Sequence, residues 1–548
     1  MVRKIKKVVE EIRCYGGHLN GGAFWKLKKK LTRRKGDNAH AVLDKKGLRI
    51  EEPEKIKEAY KEYYQGLLNK RPVETVKERE IEMEVNELFD EIMDTAELQE
   101  PIQATEDEVR LILRNLKKRK AKDAAGWVNE MLIYGGEEMV RSVTKMTNQI
   151  LSDLLLPDQW NWMMIYSTHK KGDVKKLTNK RGLFLTDIVS KAFEKILDLK
   201  MEFKYDEGQN GGRKRRGVID DWIILMAVRD KNRLLKKNTY LFFADLVKCF
   251  DRLWLKDCII DAWKAGVRER EAKVIYLMNK KAYITVKTPV GVTDEAEVVE
   301  AVKQGTVLAV KLCCTTTGSI NTIGKRSVTV ISPNAIIGAI IFVDDIMGIG
   351  SWEMVKNLMQ SCVMAEEKKR WEFSTEKTNY MVMLTGKQSE VVHDIDVEVK
   401  QGKIEKNNVY KYNGNFINEK GNMDDQLAHM NSKINGVVSQ ANVLGAWKNV
   451  GNMEMQVKLL LYETTIKPTI FYNIEAWTNL RQGDMEQIEV MQGKMLKKLL
   501  GLPKSTPYWG LLIELGMWPV EWQLRYKKAM LFYTTWFILM TTESPSEQ

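Results

Sequence analysis

Cysteine and histidine are scarce, at six and five residues in a chain of 548. Cys14, Cys249, Cys258, Cys313, Cys314 and Cys362 show no Cys-x-x-Cys spacing, and none falls in the last third. This excludes a disulfide framework and a cysteine-based zinc site, and it fits reduced thiols in an intracellular protein, nuclear or cytoplasmic. Long apolar runs are also missing. The basic N-terminus is broken by Gly16-Gly17 and Gly21-Gly22 and has no apolar segment of the signal-peptide kind. The longest late apolar run, Ala529 to Met540, is too short to cross a bilayer, so no membrane partner is expected.

What is present is a globular composition, with 44% hydrophobic and 29% charged residues. The length gives room for roughly three or four domains. Lysine and arginine exceed the acids by 87 to 74, for a net charge of +13. So modest and dispersed an excess permits a nucleic-acid partner without requiring one.

Along the chain, Phe24-Trp25-Lys26-Leu27-Lys28-Lys29-Lys30 sets aromatics beside a cationic run, which suits either a nucleic-acid backbone or a solvated amphipathic helix. Glu52 to Leu68 has the spacing of an amphipathic helix, and the acidic stretch 78–100 reads as a linker with helical turns. Thr105-Glu106-Asp107-Glu108 opens a helix with a capping box. Two basic loops follow, Lys117 to Asp123 and His169 to Gly182, and the second could clamp a triphosphate or be an exposed turn. The late helical part, from about residue 422, has Trp477 and Trp518 as expected core anchors.

The chemistry concentrates in three places. Ile340-Ile341-Phe342-Val343-Asp344-Asp345-Ile346-Met347 puts two acids between apolar β-type runs, so a hairpin with Asp344-Asp345 at its tip is expected. Adjacent carboxylates repel unless a cation neutralises them, and Mg²⁺ favours one or two carboxylates with substrate phosphates. Alone, such a pair is also an ordinary solvated turn. Tyr240-Leu241-Phe242-Phe243-Ala244-Asp245 is an apolar strand delivering a third acid at its C-terminal end, ahead of a helix carrying Phe250. Together these acids suit a two-metal site, with ions roughly 3.5–4 Å apart. Between them, Gln304-Gly305 opens a helix, where Gly305 allows close backbone approach and Gln304 can hydrogen-bond a base or sugar. Lys377, before the strand Tyr380 to Leu384, could protonate a leaving pyrophosphate or be a surface lysine.

In this order the pieces resemble the reverse transcriptase of a non-long-terminal-repeat (LINE-type) retrotransposon, over about residues 105–520. His169-Lys170-Lys171-Gly172-Asp173 with Asn179-Lys180-Arg181-Gly182 resembles the family's Lys-Lys-Gly-Asp and Asn-Tyr-Arg-Gly pair. Gln209-Asn210-Gly211-Gly212-Arg213 resembles Gln-x-Gly-Phe-Arg, and Asp245 with Phe250-Asp251 resembles Asp-x-x-Lys-Ala-Phe-Asp. Gln304-Gly305 matches the start of motif B, and Phe342-Val343-Asp344-Asp345 resembles the Phe-Ala-Asp-Asp box. Lys377-Thr378, Tyr412-x-Gly414, the stretch Ile466-Lys467-Pro468 to Trp477, and Glu514-Leu515-Gly516 resemble the segments that follow.

The resemblance implies an α+β right-hand polymerase fold: a helical basic N-terminal extension (1–104), fingers (105–235), palm (236–420), and a helical thumb and C-terminal region (421–548). It implies RNA-directed DNA polymerisation, a nucleotidyl transfer joining deoxynucleoside triphosphates to a DNA primer on an RNA template. Two Mg²⁺ ions would be held by Asp245 and Asp344 with Asp345 in support. Lys170 and Arg181 would hold the triphosphate, Phe250 would exclude a ribose 2′-OH, Gln304 and Gly305 would border the nucleotide, and Lys377 would act near the leaving group. Lys180, Gly212 and Cys249 depart from the usual Tyr, Phe and Ala, and Ala309-Val310 stands where Ser-Pro or Gly-Pro is common. No endonuclease is expected before residue 105 and no Cys/His knuckle after the thumb, so the chain reads as a fragment or a domesticated remnant. The alternative is a catalytically silent remnant that only binds nucleic acid.

Overall fold

The computed structural model describes residues 41–542 except 45, 70–72, 74, 124, 171, 300–301, 325–328, 333–334, 386–395 and 444–454. The cationic run at 24–30, Cys14 and Lys171 lie outside the described residues. The architecture is α+β, with two five-stranded sheets and helices on their faces.

Helix α1 (Pro53–Leu68) buries Ile56, Tyr60, Tyr64 and Leu68, a stripe every fourth residue. Helix α2 (Val76–Thr95) is a correction, because most of the acidic stretch 78–100, read as a linker with helical turns, is one continuous helix that ends at Thr95. Thr75 caps it by accepting from the Glu78 N–H at 3.1 Å, and Phe89 and Ile92 are buried. Most of its other faces are polar, which hides the helical period among glutamates. Strands β1 (Trp162–His169) and β2 (Lys180–Leu185) pair antiparallel, with Arg181 opposite Thr168. Helices α3 (Ile188–Lys200) and α4 (Val218–Leu234) lead to β3 (Thr239–Asp245), which is buried along its length up to Ala244. After α5 (Leu255–Lys264) and α6 (Glu269–Asn279) the chain returns to the first sheet. There β4 (Lys281–Thr288) lies parallel to β1 and pairs with β5 (Ala296–Val299). α1 covers this sheet through Tyr60, Tyr64, Ile165, Phe184 and Ile284.

Helix α7 (Val307–Gly318) precedes the hairpin β6 (Ile340–Phe342) and β7 (Asp345–Gly350), then α8 (Trp352–Lys368) and β8 (Asn379–Met383). The second sheet runs β6-β7-β3-β8 and ends on the short strand Glu405–Lys406. Alternate residues of β3 feed two different cores, as the two-residue period of a strand dictates. Tyr240, Phe242 and Ala244 join the core under α5, α7 and α8. Leu241 and Phe243 join a second core with Trp222 of α4 and Trp477. A further hairpin, β9 (Val409–Tyr412) and β10 (Asn415–Asn418), covers that second face, with Tyr410 stacked on Phe243 at 4.0 Å between centroids.

The C-terminal part is helical. Trp477 is 0% exposed and stacks on Trp222, whereas Trp518 is 59% exposed, so only the first is a core anchor. Trp518 follows the turn at Gly516 and meets Tyr526 edge-on instead of entering the core. All five described cysteines are buried free thiols. Among the described residues no helix is long and apolar enough to cross a membrane. Trp477→Ala is expected to cost about 3–5 kcal/mol and Trp518→Ala within about 1 kcal/mol; urea unfolding of both variants checks the contrast.

Candidate active site

The acids meet through register. β7 pairs antiparallel with β3, placing Asp345 directly opposite Asp245, and the β6–β7 turn adds Asp344. Directly opposed residues have Cα atoms about 4.5–5.5 Å apart and side chains on one face. That face is the one carrying Leu241 and Phe243, so the carboxylates emerge where the second core gives way to solvent. Three acids from segments a hundred positions apart thus share one sheet end.

A cleft of about 410 Å³ opens over them, lined by Lys170, Lys180 and Arg181 of the β1–β2 hairpin, by Lys248, Phe250 and Asp251 after β3, and by Gln304, Asp344, Asp345 and Lys377. Eight of the nine residues singled out in the sequence therefore border one space. The ninth, Gly305, lies beside it at φ 98°, and a Cβ there would come 3.3 Å from the Phe184 carbonyl of β2. A larger groove of about 870 Å³ in the C-terminal region has its lysines already paired, Lys467 with Glu463 and Lys527 with Glu475. It offers no comparable acid cluster.

Burial, then the Asp245 charge, holds the Asp344 carboxyl above the usual range, with Lys170 and Lys377 opposing. Asp345 is pushed up to about 7 by burial and by Asp344 and Asp245. Burial is the larger cause of both shifts, and like charges crowded at a strand end add to it. One cation does arrive, since the Lys377 ammonium is ion-paired with Asp245. Its loop is fixed from behind, because the Tyr410 hydroxyl donates to the Lys377 carbonyl at 2.8 Å. Gln304, with its amide oxygen turned to Arg181, accepts from Nη2 at 2.7 Å and Nε at 3.2 Å. The amide read as a base or sugar contact is thus engaged with the guanidinium.

The donor set suits a hard divalent cation: all carboxylate oxygen, with excess negative charge. Among the described residues no three His, Cys, Asp or Glu side chains form a ready-made metal cage. An ion here would complete its shell with water or a substrate's phosphates, as Mg²⁺ commonly does.

Some participants had no signal in the sequence. Tyr63 of α1 sits one position off the buried stripe, and its hydroxyl accepts from Lys248, whose Nζ lies 4.6 Å from the ring centre. The N-terminal segment therefore touches the cleft floor. Asp221 of α4 accepts from Asn210 at 2.7 Å, Asn413 at 2.8 Å and the Tyr412 hydroxyl at 3.2 Å, tying three segments behind the acids. Gly212 and Val310 also meet. At Gly212, φ 69°, a Cβ would come 2.8 Å from Cys314 Sγ and 3.0 Å from Val310 Cγ1. A side chain at position 212 would therefore crowd both Cys314 and Val310.

An acid cluster at a strand end facing a rim of lysine and arginine defines a site for a phosphate-bearing substrate. Residues 168–419 match the family model described as reverse transcriptase (RNA-dependent DNA polymerase), a span that contains every residue lining the cleft but not Tyr63. No curated protein matches the chain.

Burial pushes the Asp251 carboxyl up to about 6 against the pull of Lys248, Arg181 and Arg252. Between about pH 4 and that value the unfolded chain has released a proton that the folded protein keeps, so stability falls as pH rises. Asp251→Asn is expected to be more stable than wild type by about 1–3 kcal/mol at neutral pH. The gap should shrink as pH falls through that window; unfolding midpoints across it check the sign.

Proposed function

We propose that the chain is an RNA-directed DNA polymerase of the non-LTR, LINE-type class, extending a primer 3′-OH with deoxynucleotides on an RNA template. The observation that carries this is the in-register pairing of Asp245 with Asp345, with Asp344 at the adjoining turn, opposite Lys170 and Arg181. In this reading β3 and β6 to β8 form the palm. β1 and β2 form the fingers together with β4 and β5, which lie inside the span 236–420 expected as palm but pair into the first sheet, and the helices after about residue 421 form the thumb.

Each residue then has a task. Lys170 and Arg181 bind the triphosphate, Arg181 moving from the Gln304 amide to phosphate oxygens in a bidentate contact of the kind guanidinium favours. Phe250 borders the sugar and leaves no room for a 2′-OH. Lys377, released from Asp245, faces the departing pyrophosphate. Asp245 and Asp344 are the residues that fit Mg²⁺, with Asp345 beside them. When bound, the ions supply charge neutralisation for the attacking and leaving oxygens. The remaining rate enhancement is positioning and fixed electrostatics.

Primer extension on an RNA template tests the proposal. Wild type should extend with deoxynucleotides, and Asp344→Asn and Asp245→Asn should lose about 10³-fold or more in turnover. Phe250→Ala should raise ribonucleotide incorporation relative to deoxynucleotide by about tenfold. A wild-type protein that binds template–primer and never extends it overturns the polymerase reading and leaves a nucleic-acid-binding remnant.

A further inference from the structure

The turn that carries Asp344 passes through Val343 at φ 63°. This left-handed conformation is disfavoured for any β-branched side chain. Both polar groups of its backbone end on one buried amide. The Val343 N–H donates to Gln209 Oε1 at 3.0 Å, and the Val343 carbonyl lies 3.5 Å from Gln209 Nε2. The same carbonyl accepts from the Thr317 hydroxyl of α7 at 2.6 Å. Gln209 itself is 0% exposed, and its amide is fully used: Oε1 also accepts from the Gly211 N–H at 2.9 Å, and Nε2 donates to Thr317 Oγ1 at 3.0 Å.

The backbone around Gln209 is built for this approach. It runs beside β6, with the Ile341 N–H donating to the Gly208 carbonyl at 2.7 Å and the Asn210 N–H donating to the Ile341 carbonyl at 2.8 Å. A Cβ at Gly208 would fall 2.0 Å from the Ala339 carbonyl oxygen, and one at Gly211 would fall 2.3 Å from the Val343 nitrogen. Only glycine at both positions lets the amide reach the turn. Besides Gly211, Thr317 and the Cys314 carbonyl at 3.3 Å, this amide takes both backbone groups of Val343, the residue directly before Asp344.

We infer that Gln209 is a positioning residue for the acids. Its side chain acts as a template for the left-handed Val343 turn and thereby fixes Asp344 toward Asp245. Thr317 holds the other side of the same peptide. The inference rests on the polymerase reading of the site, which it deepens.

The test compares wild type, Gln209→Met, Thr317→Val, Val343→Gly and the double variant Gln209→Met/Val343→Gly. Methionine keeps the volume of glutamine without its hydrogen bonds, and glycine adopts the turn unaided. Steady-state primer extension gives kcat, KM for deoxynucleotide and the Mg²⁺ concentration for half-maximal rate; hydrogen exchange of residues 340–350 reports the turn directly. Gln209→Met should lower kcat about tenfold or more and raise the Mg²⁺ requirement, with KM within about twofold, because Lys170 and Arg181 are untouched. Thr317→Val should act in the same direction. Val343→Gly alone should stay within about threefold of wild type, and in the double variant it should recover most of the kcat lost.

Loss of activity in Gln209→Met that Val343→Gly does not relieve, with exchange rising throughout the protein, would mean that Gln209 only stabilises the core. Wild-type kcat in Gln209→Met also overturns the inference. An inert wild type removes the polymerase reading instead. Exchange confined to 340–350 in Gln209→Met, and absent from the double variant relative to Val343→Gly, then still decides the clamp.

Discussion

The site depends on the antiparallel register between β3 and β7. Side chains alternate faces along a strand, so a slip of one residue would send Asp345 toward the core that now takes Ile346. The observed pairing brings like charges together, which Lys377 and Lys170 offset only in part. It is enforced by apolar residues on both faces: Tyr240, Phe242 and Ala244 on one side, Leu241 and Phe243 on the other. Two cores gripping one strand hold a charge arrangement that the charges themselves oppose.

The same enforcement explains how remote segments reach the cleft. The β1–β2 hairpin brings Lys170 and Arg181 because β4 and β5 return to its sheet after the first acid has been placed. The β9–β10 hairpin lies behind the acids, where Tyr410 stacks on Phe243 and its hydroxyl fixes the loop of Lys377. Asp221 joins that hairpin to the segment around Asn210. Each cation or acid at the rim is therefore held by an element buried elsewhere.

Legibility in the sequence followed how local each signal was. Apolar runs ending in acids at Asp245 and around Asp344 announce strands and a tight turn. The strand and hairpin are there, but the tip is Val343-Asp344, and Asp345, expected at the tip, is already the first residue of β7 because it pairs with Phe342. A stripe such as Ile56, Tyr60, Tyr64, Leu68 announces a helix, yet it cannot say that Tyr63, one step off the stripe, meets Lys248. In α2 only Phe89 and Ile92 are buried, too few among glutamates to show the period. Trp518 misled because an indole suggests burial, whereas the turn before it faces it outward. The amide of Gln209, the return of residues 281–299 to the first sheet, and the pairing of Gly212 with Val310 are tertiary relations with no local trace.

In the resting cleft, Arg181 is occupied by the Gln304 amide and Lys377 by the Asp245 carboxylate. Beside Lys170, an incoming anion therefore meets two cations that already have partners within the protein. Binding at either one is an exchange of partners, in which the Gln304 amide or the Asp245 carboxylate is left to find another.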